Sequence, residues 1–431
     1  MRLPGRLSAA IEVLADIEAR RRPVSEALKG WGINNRFAGA GDRAAIGNLV
    51  YDALRKRASH AHVMGSDDPR ALVLAVAVRD WGEDPQALNA GFEGDTHAPA
   101  PLTDEEIARF GRGDDTLAAT GNATRADVPE WLEASLERGI GSDWVTQLRA
   151  MTGRPPLDLR VNLLKSGRER VAKSLKRFEP LETAIAPNGL RMPAGGRDAR
   201  TPNVTTDEAY LKGWFEVQDE GSQIVSALAG AAPGEQVLDL CAGAGGKTLA
   251  TAAAMGNTGQ IFAYDSDRAR LAPIYERLKR NGVRNAQVRA PEEGALDDLA
   301  GRMDRVLIDA PCTGTGTWRR RPDTKWKLTP DLLAQRTGEQ AALLDEAVRF
   351  VKLGGTLVYV TCSILPEENV DQIAAFRPRH PEFSVIDAAG LWATQLEGPV
   401  AALSDAQGGL LLTPLSTGTD GFYFCALRRN A

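Results

Sequence analysis

The sequence predicts an α/β protein whose C-terminal half is a doubly wound, Rossmann-like domain, preceded by a small α+β module and an N-terminal helical region. Three observations carry this. From residue 237 onward, short apolar segments (VLDLC, IFAYD, AQVRA, RVLIDA, TLVYVTC) recur between helical stretches, and strands alternating with helices imply βαβ units and a parallel sheet. The first of these segments runs straight into a glycine-rich turn, CAGAGGKT. Near the start, Ile11, Leu14, Ala15 and Ile17, and later Ile46, Leu49, Val50 and Leu54, fall at helical spacing with arginines between them.

The chain has 431 residues, 43% of them hydrophobic and 25% charged, enough for two or three domains of about 100–200 residues each. It contains no apolar run of about 18 residues, the length a membrane span requires. The opening MRLPGRLSAAIEVLADIEARRR interrupts its apolar stretch with acids, as an amphipathic helix does and a signal peptide does not. The four cysteines (241, 312, 362 and 425) show no CxxC or Cys/His spacing, so neither a disulfide framework nor a metal site is expected. A cytoplasmic setting, where thiols stay reduced, is expected instead. The net charge of −5 hides an asymmetry: residues 1–60 carry +5, residues 61–145 carry −11 and residues 146–200 carry +7. Basic faces bind polyanions whatever the overall pI, although solvated helix faces produce the same charge runs.

In chain order, residues 1–145 read as a helical region that turns acidic after residue 60, with Gly/Asp/Pro-rich loops such as GFEGDTHAPAPLTDEE. Residues 146–212 change character: a short strand, residues 157–163, precedes a basic helix from about Arg168. Residues 213–431 hold the alternating strands and helices, and the closing DGFYFCALRR suits an antiparallel edge strand.

The turn Cys241, Ala242, Gly243, Ala244, Gly245, Gly246, Lys247 lies between a strand and a helix, where backbone N–H groups and a helix N-terminus meet a polar or anionic ligand. It is not a P-loop, because Cys241 stands where that motif needs its first glycine. About 20 residues on, Asp265 ends the second strand, placed for ribose hydroxyls. This pairing is shared by dinucleotide enzymes and by S-adenosylmethionine methyltransferases. In RVLIDAPCTGTGTWRRRPDTKWK (305–327), Asp309 and Cys312 close the fourth strand at the edge where such sheets bind ligands. Arg319, Arg320, Lys325 and Trp326 follow, a mixture of cations and aromatics that suits RNA phosphates and unstacked bases.

A second cysteine, Cys362, ends the next strand in VYVTCSILPEEN. A thiol there is a small buried hydrophobe or a nucleophile presented at a strand end. The methyltransferase strand order brings both cysteines to one crevice, and the nucleophile reading then has a use. Cytosine carbon 5 is too poor a nucleophile to take a methyl group directly, and a thiolate adding to carbon 6 makes it one. The carbon 5 proton must then leave, so acid/base help is required. The four histidines (60, 62, 97 and 380) lie outside these motifs.

At DLCAGAGGKT, YDSD, DAPCTGTGTWRRRPDTKW, VYVTCSILPEEN and DGFYFCALRR, residues 213–431 resemble the RNA (cytosine-5)-methyltransferases of the Sun/RsmB type. The resemblance implies S-adenosylmethionine as cofactor, Cys362 as the residue that forms the covalent adduct and Cys312 as the one that assists product release. It implies Asp309 at the target base near the cofactor, Lys247 in the active site and Asp265 at the ribose. Two positions depart from the family pattern: Ala244 replaces a common proline, and after the third strand VRAPEEG offers Glu292 or Glu293, of which Glu292 is taken, in place of the usual aspartate near the adenine. Residues 146–212 resemble the family's RNA-recognition-like module, and residues 1–60 its NusB-like helical extension.

The expected activity is therefore methylation of carbon 5 of a cytosine in RNA, most simply 16S rRNA, by a monomer that needs no metal or membrane. A tRNA substrate and a catalytically idle RNA-binding assembly factor are the alternatives. A nicotinamide oxidoreductase would leave both strand-end cysteines without a role, and DNA enzymes draw their nucleophile from the PC motif rather than the TC motif.

Overall fold

The computed structural model describes residues 1–430, and helices fill the first 150 of them. Leu3–Arg20 buries Leu7, Leu14 and Ile17 along one face, the stripe that helical periodicity imposes on a half-buried helix. Ile46, Leu49 and Val50 of Ala40–Arg55 complete a first core with Leu72 to Ala77 and, at its far end, Leu88, Phe92 and Leu102. The helices from Asn122–Arg125 to Trp144–Ala150 join a different core. Their Leu136, Trp144 and Leu148 pack in one cluster with Ile364, Leu365 and Phe376 of the C-terminal domain. Charge and helical pattern run on to residue 145, but they describe surface and periodicity, not which core a helix completes.

The small module is a four-stranded antiparallel sheet in the order β2–β3–β1–β4, from β1 (Leu157–Val161), β2 (Leu181–Glu182), β3 (Gly189–Met192) and β4 (Phe215–Val217). The helix Arg168–Ser174 seals it with Val171 against Leu159, Leu190 and Phe215. β4 pairs Phe215 with Val161 and Val217 with Leu159, so the module extends past the expected boundary at 212.

The C-terminal sheet is built from β5 (Gln236–Asp239), β6 (Gln260–Tyr264), β7 (Ala286–Arg289), β8 (Met303–Asp309), β9 (Val351–Thr361), β10 (Phe383–Ile386), β11 (Leu403–Ser404), β12 (Leu410–Leu412) and β13 (Phe422–Arg429). Its order is β7–β6–β5–β8–β9–β13–β12–β11, with β10 also pairing β13. β5 to β9 are parallel neighbours, as the alternating pattern predicts. The chain moves outward in opposite directions on the two sides of β5, which makes the carboxyl ends of β5 and β8 the binding crevice of a doubly wound sheet. β13 is antiparallel, as expected, but it is interior rather than an edge. β9 flanks one side, β10 and β12 share the other, and Cys425 is fully buried. The strands that cover it are only three and four residues long, too short for period-2 patterning to register.

One segment ties the three bodies together. Arg319 and Arg320, beyond β8, both pair with Asp420 before β13 and with Asp219 at the cap of helix Glu220–Leu228. The carbonyl of Arg319 accepts from Arg55 Nε at 2.8 Å, Lys325 Nζ donates to the Arg55 carbonyl at 2.9 Å, and Trp326 Nε1 donates to the Leu54 carbonyl at 2.7 Å. Removing one member of a buried ion pair leaves the other charge uncompensated. Asp420→Ala is therefore expected to lower the unfolding free energy by about 3–5 kcal/mol. Glu105→Ala, which breaks an exposed pair with Arg109, is expected to change it little. Chemical denaturation followed by far-UV circular dichroism separates the two.

Candidate active site

The site begins in the turn after β5. Gly243 (φ 49°) and Gly245 (φ 84°) adopt the left-handed conformation, and a Cβ on Gly245 would lie 2.5 Å from Ile274. Only glycine fits there. The turn is held from several sides: Gly243 N–H donates to Asp265 Oδ2 at 2.9 Å, and Ala242 N–H to the Tyr264 carbonyl at 2.8 Å. The carbonyls of Ala244 and Gly246 accept from Arg277 (2.7 Å) and from Arg160 of β1 (2.9 Å). Ala244 thus fills the family's proline position while the turn keeps its shape through these arginines.

Asp265, one residue past β6, is buried, and its other oxygen accepts from Asp267 N–H at 2.9 Å. Cys241 is partly buried, and desolvation with the nearby Asp239 and Asp265 charges pushes its thiol well above the ordinary range. Glu292, in the loop after β7, is 70% exposed with Arg268 at 3.6 Å. Lys247, in the first turn of helix Gly246–Ala254, is buried and meets Asp309 Oδ2 at 2.6 Å, joining the ends of β5 and β8 across the crevice. Its Nζ lies 5.6 Å from the centre of the Phe422 ring.

β8 and β9 are adjacent and parallel, pairing Asp309 with Val360. Beyond that ladder, Cys312, three residues past β8, and Cys362, one residue past β9, lie at a sulfur–sulfur distance of 3.3 Å. The hydrogen bond with Cys362, burial and the charge of Glu368 all push the Cys312 thiol well above its ordinary value. Gly316 N–H donates to the Cys362 carbonyl at 2.9 Å, which fastens the two loops together beneath the sulfurs.

The four residues expected to contact RNA are corrected. Arg319 and Lys325 are only 5% and 4% exposed, and all four, with Arg320 and Trp326, spend their polar atoms on the interdomain ties described above. Burial pushes Lys325 down to about 8. Cations beside tryptophans read as a nucleic-acid surface, but the same composition serves a buried junction when carbonyls and carboxylates face it. Arg321 alone of that arginine run stays exposed.

Sequence reasoning missed three groups. Asp239 ends β5, where its Oδ2 accepts from Thr248 Oγ1 at 2.6 Å and its Oδ1 is buried with no partner. The signal was an acid at the end of an apolar strand, VLDLC. Glu368 and Asn369, in the polar run PEEN after Cys362, are buried. Among the described residues no group of three or more His, Cys, Asp or Glu side chains could hold a metal ion, and no helix is long and apolar enough to cross a membrane.

Burial, opposed by Thr248 and reinforced by the Asp309 charge, pushes the Asp239 carboxyl up to about 7. A group whose pKa is raised on folding stabilises the protein below its unfolded value, here about 4, and that stability is lost as pH rises through the folded value. Asp239→Asn is expected to flatten the fall in melting temperature of the ligand-free protein between about pH 5 and pH 7.5. Thermal denaturation across that range checks it.

The family model for the 16S rRNA methyltransferase RsmB/F matches residues 226–428, and that for the RsmF/B-like ferredoxin-like domain matches residues 128–195. The ribosomal RNA small subunit methyltransferase B of Yersinia enterocolitica is 35% identical over 72% of this chain and 68% of its own length. The probable enzyme of the same name from Synechocystis is 35% identical over 70% of this chain and 66% of its own length. The crystal structure of PH0851 superposes with a TM-score of 0.73 at 26% identity, covering 99% of each chain. The alignments thus span about two thirds of the curated relatives' own length. The residues present fit S-adenosylmethionine: the partnerless Asp239 oxygen awaits a donor beneath the glycine turn, and Asp265 closes the next strand. The chain belongs to the RsmB/F family and is an RNA methyltransferase whose methyl donor is S-adenosylmethionine.

Proposed function

We propose that the protein methylates carbon 5 of a cytosine in 16S rRNA through a covalent adduct between Cys362 and carbon 6. The observation that carries this reading is the pair of thiols 3.3 Å apart at the ends of adjacent parallel strands, beside the Lys247–Asp309 ion pair. S-adenosylmethionine supplies an electrophilic methyl group. The Cys362 thiolate, hydrogen-bonded by the Cys312 S–H, adds to carbon 6 and makes carbon 5 nucleophilic. Asp309, held by Lys247, accepts from the exocyclic amine of the base, a donor that cytosine has and uracil lacks. Once carbon 5 carries both its proton and the methyl group, the proton leaves to solvent and the ring double bond re-forms. The sulfur–carbon 6 bond then breaks, and the Cys312 S–H stabilises the departing Cys362 thiolate. The net products are 5-methylcytosine, S-adenosylhomocysteine and one proton.

The target nucleotide is flipped from its helix to reach the crevice. Phosphate contacts come from exposed cations of the small module, Arg170, Lys173, Lys176 and Arg177, which carry no sequence information and make binding salt-dependent. The names of the relatives favour small-subunit rRNA over tRNA, and four reduced cysteines suit the cytoplasm. The three bodies follow as proposed units: a helical region to about residue 102, a small module to Val217 and the catalytic domain, joined by the helices at 122–150.

Cys362→Ala is expected to abolish methyl transfer while S-adenosylmethionine binding, read by calorimetry, survives; transfer at the normal rate would remove Cys362 as nucleophile. Cys312→Ala is expected to accumulate a protein–RNA adduct on a denaturing gel. Bisulfite sequencing of RNA from cells with and without the gene is expected to show one methylated cytosine lost from 16S rRNA. Loss confined to tRNA would keep the chemistry and replace the substrate.

A further inference from the structure

Strand pairing alone does not explain how the two sulfurs meet. The β8–β9 ladder ends at Asp309 and Val360, and both cysteines lie beyond it in loops. The polar atoms flanking each cysteine converge on one short turn, Pro366–Glu368 and the Asn369 that follows it. The Glu368 carboxylate is fully buried and accepts from Thr313 N–H at 2.8 Å, from Thr313 Oγ1 at 2.5 Å and from Gln340 Nε2 at 3.0 Å. The same Gln340 amide donates to the Pro311 carbonyl at 3.0 Å, so Cys312 is held through the residues on both sides of it. Asn369 does the same for Cys362: its Oδ1 accepts from Thr361 Oγ1 at 2.6 Å, and its Nδ2 donates to the Ser363 carbonyl at 2.9 Å. The turn is itself anchored. Tyr359 of β9 donates its hydroxyl to the Glu368 carbonyl at 2.7 Å, Ser135 Oγ donates to Glu367 at 2.5 Å, and a Cβ on Gly139 would lie 2.8 Å from Pro366.

A buried charge is costly and persists where its acceptor capacity is filled. Here all three donors come from the Cys312 loop and the helix bracing it, so Glu368 couples its burial to one loop geometry. We propose that Glu368 and Asn369 are positioning residues, adjacent in sequence, that separately fix Cys312 and Cys362 and so set the distance between the two sulfurs. The proposal rests on the two-cysteine reading for its kinetic consequences but not for its geometric one.

Two measurements test it on the full-length protein. The first uses phenylarsine oxide, which bridges two thiols only when they are close together. The wild type is expected to bind it, Cys312→Ala to lose it, and Glu368→Gln and Asn369→Ala each to bind about tenfold more weakly, the loss of one net hydrogen bond's worth of positioning. Wild-type arsenical affinity in both variants would overturn the proposal. The second uses transcribed 16S rRNA with S-adenosylmethionine. Glu368→Gln, with Cys312 displaced, is expected to turn over about 10–100-fold more slowly and to trap adduct as Cys312→Ala does. Asn369→Ala, with Cys362 displaced, is expected to be equally slow without adduct. Both are expected to bind S-adenosylmethionine as the wild type does. A merely structural role predicts one shared phenotype, with adduct and cofactor binding lost together, and that result would also overturn the assignment. Should Asn369→Ala not fold, Thr361→Val removes one of its two bonds, that between Thr361 Oγ1 and Asn369 Oδ1, with little change of shape. If Cys312→Ala and Cys362→Ala both turned over normally, the two-cysteine reading would fall, and the arsenical result would still decide the clamp.

Discussion

The parallel pairing of β8 with β9 is the constraint on which the rest of the site depends. Because the two strands run side by side and end together, a residue a few positions past either one emerges at the same edge of the same crevice. A strand-end thiol is ordinary in isolation. Two of them at the ends of adjacent strands, with a lysine from the neighbouring β5 turn reaching across to Asp309, form a cluster that no single segment contains. β13, inserted antiparallel beside β9, walls this edge from the far side and contributes Phe422 against Lys247.

Charge in this region follows one rule: each buried carboxylate answers to a specific donor. Asp265 answers to the amides of Gly243 and Asp267 and Glu368 to Thr313 and Gln340, while the half-buried Asp309 pairs with Lys247. Asp239 is the exception, satisfied at one oxygen only. Natural structures leave few buried polar atoms orphaned, and this one lies at the carboxyl end of β5, beside the glycine turn. The Cys312 thiol is held well above its ordinary range by its hydrogen bond with Cys362, by burial and by the Glu368 charge.

Much of this was legible in the sequence. The strand–turn–helix at 237–248, Asp265 and the two strand-end cysteines were readable because a parallel βαβ sheet sends its strand ends to one edge, a rule of topology that needs no side-chain detail. What failed was partnership. Arg319, Arg320, Lys325 and Trp326 look like an RNA surface when written in a row, because nothing local reveals that Asp219, Asp420, Leu54 and Arg55 will close on them from 100 to 270 residues away. The same blindness hid β13's covering strands and assigned the helices at 122–150 to the wrong core. Periodicity reports that a face is buried and is silent on what buries it.

The junction through Leu54, Arg55, Arg319, Lys325 and Trp326 has one more consequence. The chain that leaves Cys312 reaches the N-terminal helices within fourteen residues, by Trp326, and is bolted to them there. The helical region cannot then swing like a tethered arm searching for its ligand. It behaves as the fixed jaw of a caliper, whose distance from the two thiols is set by the fold itself.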